Sequence, residues 1–580
     1  MKKTAAVIAV LALVACTTGV LLAQSAEDAK FKKFQDTFWD AYFKFYPTAG
    51  TLQGFTKYND KLEDPSEGAL DKFFEQLNAF NQELVTKIDQ SKLSADNQID
   101  RELYLDFLDL EFNKLQDTVP WQDNPLLYNG LFVNSVRSVL VKNGGAGAAA
   151  ATARAKLIPG LVKRAKDNLK NPPQEYTQAA IDQMPAIIDL YRVDIPTLSG
   201  GAAALQAEVV KAVAALEDYQ RFLKGELLAK STGNFRMPEP HLRMLRRTTQ
   251  GNLPILEEIV QRSLADFNNI RREMFLVCIP FYKIMYPHID IEQLGRTKGE
   301  EQTRNTVIQG VLDKIKGDHV GRDEFVARIN SSAGSIKAYI QQQSIIELPA
   351  DNLAIEPMPA YLMGGLWTRL TTPGAFESSG PYTLFVNPVP AAWSAEEATS
   401  FLEEHNNYYI DFMAIQNIFP GSFAPAFFTR SDPSVIKRMA PNQGLLKGWP
   451  IFLEDLFMES GYGNYDLRMR LNQLKLMLKT VILFQMDINV HEGTWTKDKV
   501  MDYMTVRGFM TKAEAERRWN QIVLNPGAGS QPYIGYQEIL DMEKDYRKLK
   551  GESFNAKEFL QKLLSYGALP LRTLKIKMAQ

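Results

Sequence analysis

Apolar side chains return every three or four positions at Phe31, Phe34, Phe38, Tyr42 and Phe45, the period of one helical face. Pro47 follows, and its missing amide ends the helix there. Leu70, Phe73, Phe74, Leu77, Phe80, Leu84 and Ile88 trace a second stripe, and Leu157 to Leu169, Ala204 to Leu227, Leu253 to Met274 and Thr303 to Ile315 repeat the pattern. Near Ile345 the period is lost. Pro349, Pro357, Pro359, Pro373, Pro381, Pro388 and Pro390 cut the chain into pieces such as Leu353-Ala-Ile and Tyr382-Thr-Leu-Phe-Val, which read as short edge strands. Helical spacing resumes over Ala395 to Ile418, Leu445 to Met458, Leu467 to Ile488, Lys497 to Met504, Thr511 to Val523, Ile534 to Leu549 and Ala556 to Leu564. The pattern predicts a mainly α protein with a small β-sheet between helical blocks. Its expected divisions are an export signal over 1-25, a helical region over 26-345 and a mixed region over 346-580, the last two forming one fold. No fixed-period repeat supports a solenoid, and Asn143 to Ala151 (NGGAGAAAA) reads as a flexible connector.

Composition sets the compartment and narrows the partners. The 45% hydrophobic and 11% aromatic content suffices for a large core, and 66 Lys+Arg against 68 Asp+Glu leaves no field to draw nucleic acid. Lys2 and Lys3 precede the apolar run Ala5 to Ala15, as in a secretory signal. Leu13-Val14-Ala15-Cys16 fits a lipobox, whose cysteine carries lipid after cleavage, whereas Ala23-Gln24-Ser25 offers an ordinary cleavage site. The expectation is an exported protein, periplasmic or outer-membrane-associated through lipidated Cys16, with simple secretion as the alternative. Cys278, within the apolar Phe275-Leu-Val-Cys-Ile, is the other cysteine, so a mature chain has no internal disulfide.

Several landmarks share an order: Tyr46-Pro-Thr-Ala-Gly, Leu157-Ile-Pro-Gly-Leu, Asn168-Leu-Lys-Asn-Pro-Pro, Ile346-Glu-Leu-Pro, Phe419-Pro-Gly, Gly448-Trp449 with Glu454, Gly461-Tyr462-Gly463, Asn525-Pro-Gly, Tyr533-Ile-Gly, and Phe554 through Leu563-Leu564 to Gly567-Ala-Leu-Pro. Together they resemble the bacterial family called domain of unknown function 885, exported zincin-like metallopeptidases. The resemblance implies a large helical zincin-like, more narrowly gluzincin-like, scaffold with a small sheet beside the cleft. It also implies a metal site built from HExxPGH on one helix, EGW about a helix later, and then an aromatic and another acid. Aligned on Pro420-Gly421, the two histidines are here Gln416 and Ser422 and the glutamate is Asn417; aligned on Gly448-Trp449, the acid of EGW is Lys447. The family's later FHD reads Phe559-Leu560-Gln561. Carboxamides and hydroxyls are poor zinc ligands, an amide cannot act as a base, and an ammonium repels a divalent cation. The resemblance therefore implies a degenerate metal site, with no cofactor and no catalytic residue.

Nothing else in the sequence replaces that chemistry. The five histidines, His241, His288, His319, His405 and His491, are scattered, and in His491-Glu492-Gly-Thr-Trp495 a tryptophan stands where a second zinc ligand belongs. There is no GxSxG elbow. Glu403, Glu404, Glu454, Asp455 and Glu459 could pair, though acids on amphipathic helices ordinarily form solvated faces. Lys447 is expected at the start of a helix with Pro450 in its first turn. If the fold sets it beside Gln416, Asn417 and Ser422, its ammonium is positioned to bind a carboxylate such as a peptide terminus. Glu454 and His405 are further candidates for ligand contact. His405 is expected on the same helix as Gln416, with a polar or capping role the simpler reading. In zincins the sheet edge holds extended peptide, which makes Tyr361 to Thr371 and Tyr382 to Pro388 candidate strands for main-chain pairing. The functional expectation is an exported, catalytically inactive metallopeptidase-like protein binding a peptide or cell-envelope partner. A metal-independent hydrolase on the same scaffold, and an interaction platform with an empty cleft, are the alternatives.

Overall fold

A computed structural model describes residues 26–238, 256–350, 353–362 and 367–580. Cys16, both cleavage signals and His241 lie outside them. The architecture is mainly helical with one three-stranded sheet. The chain forms two compact units: the described part of Met1–Asn234 with Gly374–Glu377 and Ser434–Ala440, and the described part of Phe235–Pro373 with Ser378–Pro433 and Pro441–Gln580.

In the first unit the Phe31 to Phe45 stripe lies on a helix over residues 26–45, and Pro47 opens the next helix, Pro47–Leu52. Phe38 is fully buried, with its ring 5.3 Å from Phe80 and 5.2 Å from Tyr104 in edge-on arrangements. Each such pair contributes about 0.5–1.5 kcal/mol beyond its buried area. Arg154, fully buried, donates to the Ser135 carbonyl (2.8 Å), the Pro47 carbonyl (3.0 Å) and Thr51 Oγ1 (2.7 Å), joining three helices. The Asn143 to Ala151 segment is not an open connector. A helix runs to Asn143, one tight turn spans Gly144–Gly147, and the next helix begins at Ala148, because the alanines that follow the glycines are the strongest helix formers.

The second unit is organised around the Leu467–His491 helix, buried over most of its length. The strands are β1 (Leu353–Pro357), β2 (Thr368–Thr371) and β3 (Tyr382–Val386), in the order β1-β3-β2. β1 pairs with β3 in parallel and β2 pairs with β3 antiparallel, so β1 and β2 are the edges, and Tyr382–Val386, expected as an edge strand open to peptide, is the central strand with both sides already paired. The strand expected from Tyr361 is shorter than the reading, since Ala360–Leu362 is a single 3-10 turn. The helix expected over Ala395 to Ile418 is two, Ala395–Glu404 and Asn407–Asn417. Asn406 forces the break: as an N-cap it accepts from the amides of Tyr408 and Tyr409, both at 3.1 Å. His405 and Gln416 therefore occupy different helices. Lys447 is likewise not at a helix start, because Asn442 caps the Gln443–Glu459 helix, accepting from the Leu445 amide at 2.9 Å, and Pro450 is interior.

Candidate functional site

Two local structures position the landmark residues. The Asn407–Asn417 helix ends at Ile418, whose φ of −119° and ψ of −94° leave the helical region, and the chain folds back so that the Gly421 amide reaches the Ile415 carbonyl at 3.0 Å. Only glycine fits there: a Cβ on Gly421 would lie 1.9 Å from the Gln416 carbonyl oxygen and 2.3 Å from that of Ile415. Trp449, fully buried, donates its indole N–H to the Pro420 carbonyl at 3.1 Å and so fastens the Gln443–Glu459 helix to this turn. On another side the same helix crosses Ser530–Lys550 at backbone contact. A Cβ on Gly535 would meet the Gly444 carbonyl oxygen at 1.8 Å, and one on Gly448 would meet the Gly535 carbonyl carbon at 2.2 Å. The Pro-Gly and Gly-Trp landmarks thus hold adjoining helices in place, and they do so without any metal ligand.

Of the four residues aligned with the expected metal positions, one is bonded to Glu454 and a second to that one. Gln416 Nε2 donates to Glu454 Oε1, and Ser422 Oγ donates to the Gln416 carbonyl at 3.2 Å. Glu454 is fully buried and its Oε2 has no hydrogen-bond partner. Burial raises its carboxyl well above the usual glutamate range, with the charge of Asp455 adding to the rise and the Gln416 donation opposing it. Its surroundings therefore favour the neutral acid over the carboxylate. Asn417 turns back onto its own helix, donating to the Met413 carbonyl at 2.9 Å. Asn417 and Lys447 make no hydrogen bond to the Gln416, Ser422 and Glu454 group.

Lys447 lies two helical turns before Glu454, on the same face and about 10 Å along the axis. Its side chain is solvent-exposed and has no hydrogen bond or ion pair, yet the surrounding protein desolvates the ammonium and lowers its pKa. The donor set does not suit zinc. Gln416, Asn417, Ser422 and Lys447 bring neither imidazole nor carboxylate, and among the described residues no three His, Cys, Asp or Glu side chains gather as metal ligands.

His405 caps the C-terminus of Ala395–Glu404. Only 2% exposed, it bonds the Phe401 carbonyl through Nδ1 at 2.9 Å and stacks on the Phe401 ring at 4.0 Å. Burial takes its pKa down to about 3, so the ring is neutral. His491 is also buried and bonds the Ile522 carbonyl at 3.2 Å. The reading of the helix acids as solvated fails for Glu404 as well as Glu454. Glu404 is buried, accepts from Arg517 at 2.8 Å and lies 3.9 Å from Lys479, which also pairs with Glu514. Sequence reasoning passed over Lys479 and Glu514. The available signal was one lysine inside the apolar run Leu476 to Phe484.

The family described as "Bacterial protein of unknown function (DUF885)" matches residues 47–578. No curated protein matches. A "putative lipoprotein of unknown function" from Shewanella oneidensis has a similar structure, with a TM-score of 0.78 and 23% identity, covering 95% of this chain and 100% of that one. A "putative lipoprotein" from Colwellia psychrerythraea aligns with a TM-score of 0.74 and 14% identity, covering 95% and 98%. At these identities the likeness is one of fold.

Proposed function

The chain belongs to the bacterial family of unknown function DUF885, and on that premise we propose an exported, catalytically silent metallopeptidase-like protein that binds the carboxylate end of a peptide or cell-envelope partner at Lys447. The observation carrying this reading is the exposed and unpaired Lys447 ammonium, on the same helix face as the buried Glu454 whose carboxyl burial shifts toward the neutral form. An ammonium that has lost part of its hydration without gaining an acid gains most from a ligand carboxylate. Silence is supported by the unsuitable donor set and by Glu454 being tied to Gln416. The turn that carries Ser422 leads into the Phe423–Ser431 helix, whose Phe423 ring packs 5.2 Å from Tyr382 of β3. That contact is consistent with a zincin-like arrangement of cleft and sheet, in which the edges β1 and β2 receive extended peptide.

Export is supported by the lysine-led apolar N-terminus, and the lipobox by the description of both structural neighbours as lipoproteins. Among the described residues no helix is long and apolar enough to cross a membrane. Tethering through lipidated Cys16 follows as part of the same proposal. The test is equilibrium binding of an N-acetylated peptide library with free C-terminal carboxylates against the same library as C-terminal amides. Saturable binding of the carboxylates, lost in the amides and in Lys447→Ala, is expected. Affinity unchanged in Lys447→Ala refutes the carboxylate site, and peptide cleavage that survives a chelator refutes the silence.

A further inference from the structure

The first unit holds a cavity that the Lys447 site does not use. Leu70, Asp71 and Phe74 from the Glu67–Thr86 helix, the end of Ala95–Gln116 and Trp121 of the short Pro120–Asp123 helix enclose about 250 Å³. At ~30 Å³ per water, that is space for roughly eight waters or one small organic molecule. Leu70, Phe74, Leu115, Val119 and Trp121 form the apolar half of its wall and Gln116 and Gln122 share the polar half with Asp71, which is exposed at the cavity with no ion pair or hydrogen bond. The Ala95–Gln116 helix also points its C-terminus here. The Asn113 carbonyl takes the amides of Asp117 (2.9 Å) and Thr118 (3.1 Å), which leaves the carbonyls of Lys114, Leu115 and Gln116 without backbone donors. Those carbonyls carry the negative end of the helix dipole. Beside them Val119, a β-branched residue, is held at φ 29°, in the left-handed region, where strain persists only if the surroundings impose it.

A lone carboxylate, a helix C-terminus and two aromatic side chains all favour positive charge, and the apolar half of the wall, with Phe74 and Trp121, favours a hydrocarbon body. We propose that this cavity binds a small organic cation, an amine or quaternary ammonium carried on an apolar or aromatic group. The charge sits between Asp71 and the carbonyls that end the Ala95–Gln116 helix, and the body lies against Phe74 and Trp121.

The probe is benzyltrimethylammonium, whose charge does not vary with pH, set against the neutral isostere neopentylbenzene, both titrated into the full chain by NMR. The cation should bind saturably, at least roughly tenfold tighter than the isostere, and more weakly as ionic strength rises. Asp71→Asn, a change at an exposed position, should remove that preference and leave the fold intact. Equal affinity for the two probes, no saturable binding of the cation, or an undiminished preference in Asp71→Asn would each overturn the proposal.

Discussion

Replacing Gly535 by alanine tests whether the helix crossing that carries Lys447 and Glu454 is set by backbone contact. The new Cβ would lie 1.8 Å from the Gly444 carbonyl oxygen, 2.6 Å from its carbon and 3.0 Å from Gly448 Cα. All three are backbone atoms, so no side chain can move aside and the two helices must separate. Overpacking of this kind costs about 1–3 kcal/mol and occasionally more. Alanine recovers about 1 kcal/mol through helix propensity. Because the overlap is severe, the expected net loss is about 2 kcal/mol, which at an m-value of ~3 kcal/mol/M lowers the urea midpoint by about 0.7 M. Gly334→Ala is the control. It lies mid-helix in Phe325–Gln343 of the same unit with nothing near its Cβ position, so propensity acts alone and the midpoint should rise. A midpoint for Gly535→Ala equal to or above that of the unmodified chain would refute the close crossing.

Other substitutions examine the buried charges. Folded Glu454 keeps its proton to higher pH than the unfolded chain does, so the native state binds more protons and loses stability as pH rises from the ordinary glutamate range toward the raised value. Glu454→Gln removes that dependence. Its advantage over the unmodified chain in urea should grow by up to about 1.4 kcal/mol per pH unit in that window, whereas a flat difference from pH 5 to 8 would show Glu454 already ionised. Lys479→Met leaves Glu404 and Glu514 without the cation between them and should cost about 3–5 kcal/mol at pH 7. A loss under about 1 kcal/mol in denaturant titration, the range of exposed pairs, would show that the network is solvated.

Periodicity located the helices because their stripes are what the core buries: Phe31, Phe34 and Phe38 in one unit and Leu471, Leu474, Leu478, Val481 and Ile488 in the other are buried as their spacing implied. Periodicity could not place the boundaries set by caps. Asn406 split one expected helix, and Asn442 set the start of another at Gln443, four residues ahead of Lys447. Both are single polar side chains that hydrogen-bond to backbone amides, and hydrophobic spacing does not register them. At the candidate site, the landmarks Pro420-Gly421 and Gly448-Trp449 do adjoin one another, since those glycines and Trp449 pack the turn against the helix, but of the four aligned positions only Gln416 and Ser422 are hydrogen-bonded to each other. The protonation of Glu454 was not legible. It depends on total burial and on the Gln416 amide, a contact between helices 38 residues apart. The cavity beside Asp71 escaped for a similar reason, as Asp71 and Trp121 come to line one cavity only once three helices have packed.

The proposed catalytic silence requires that the chain hold no zinc at Gln416, Asn417, Ser422 and Lys447. Elemental analysis by plasma emission tests it most directly, on the full chain incubated with excess zinc and then freed of unbound ion by gel filtration. The account predicts no stoichiometric zinc, and one zinc per chain would contradict it.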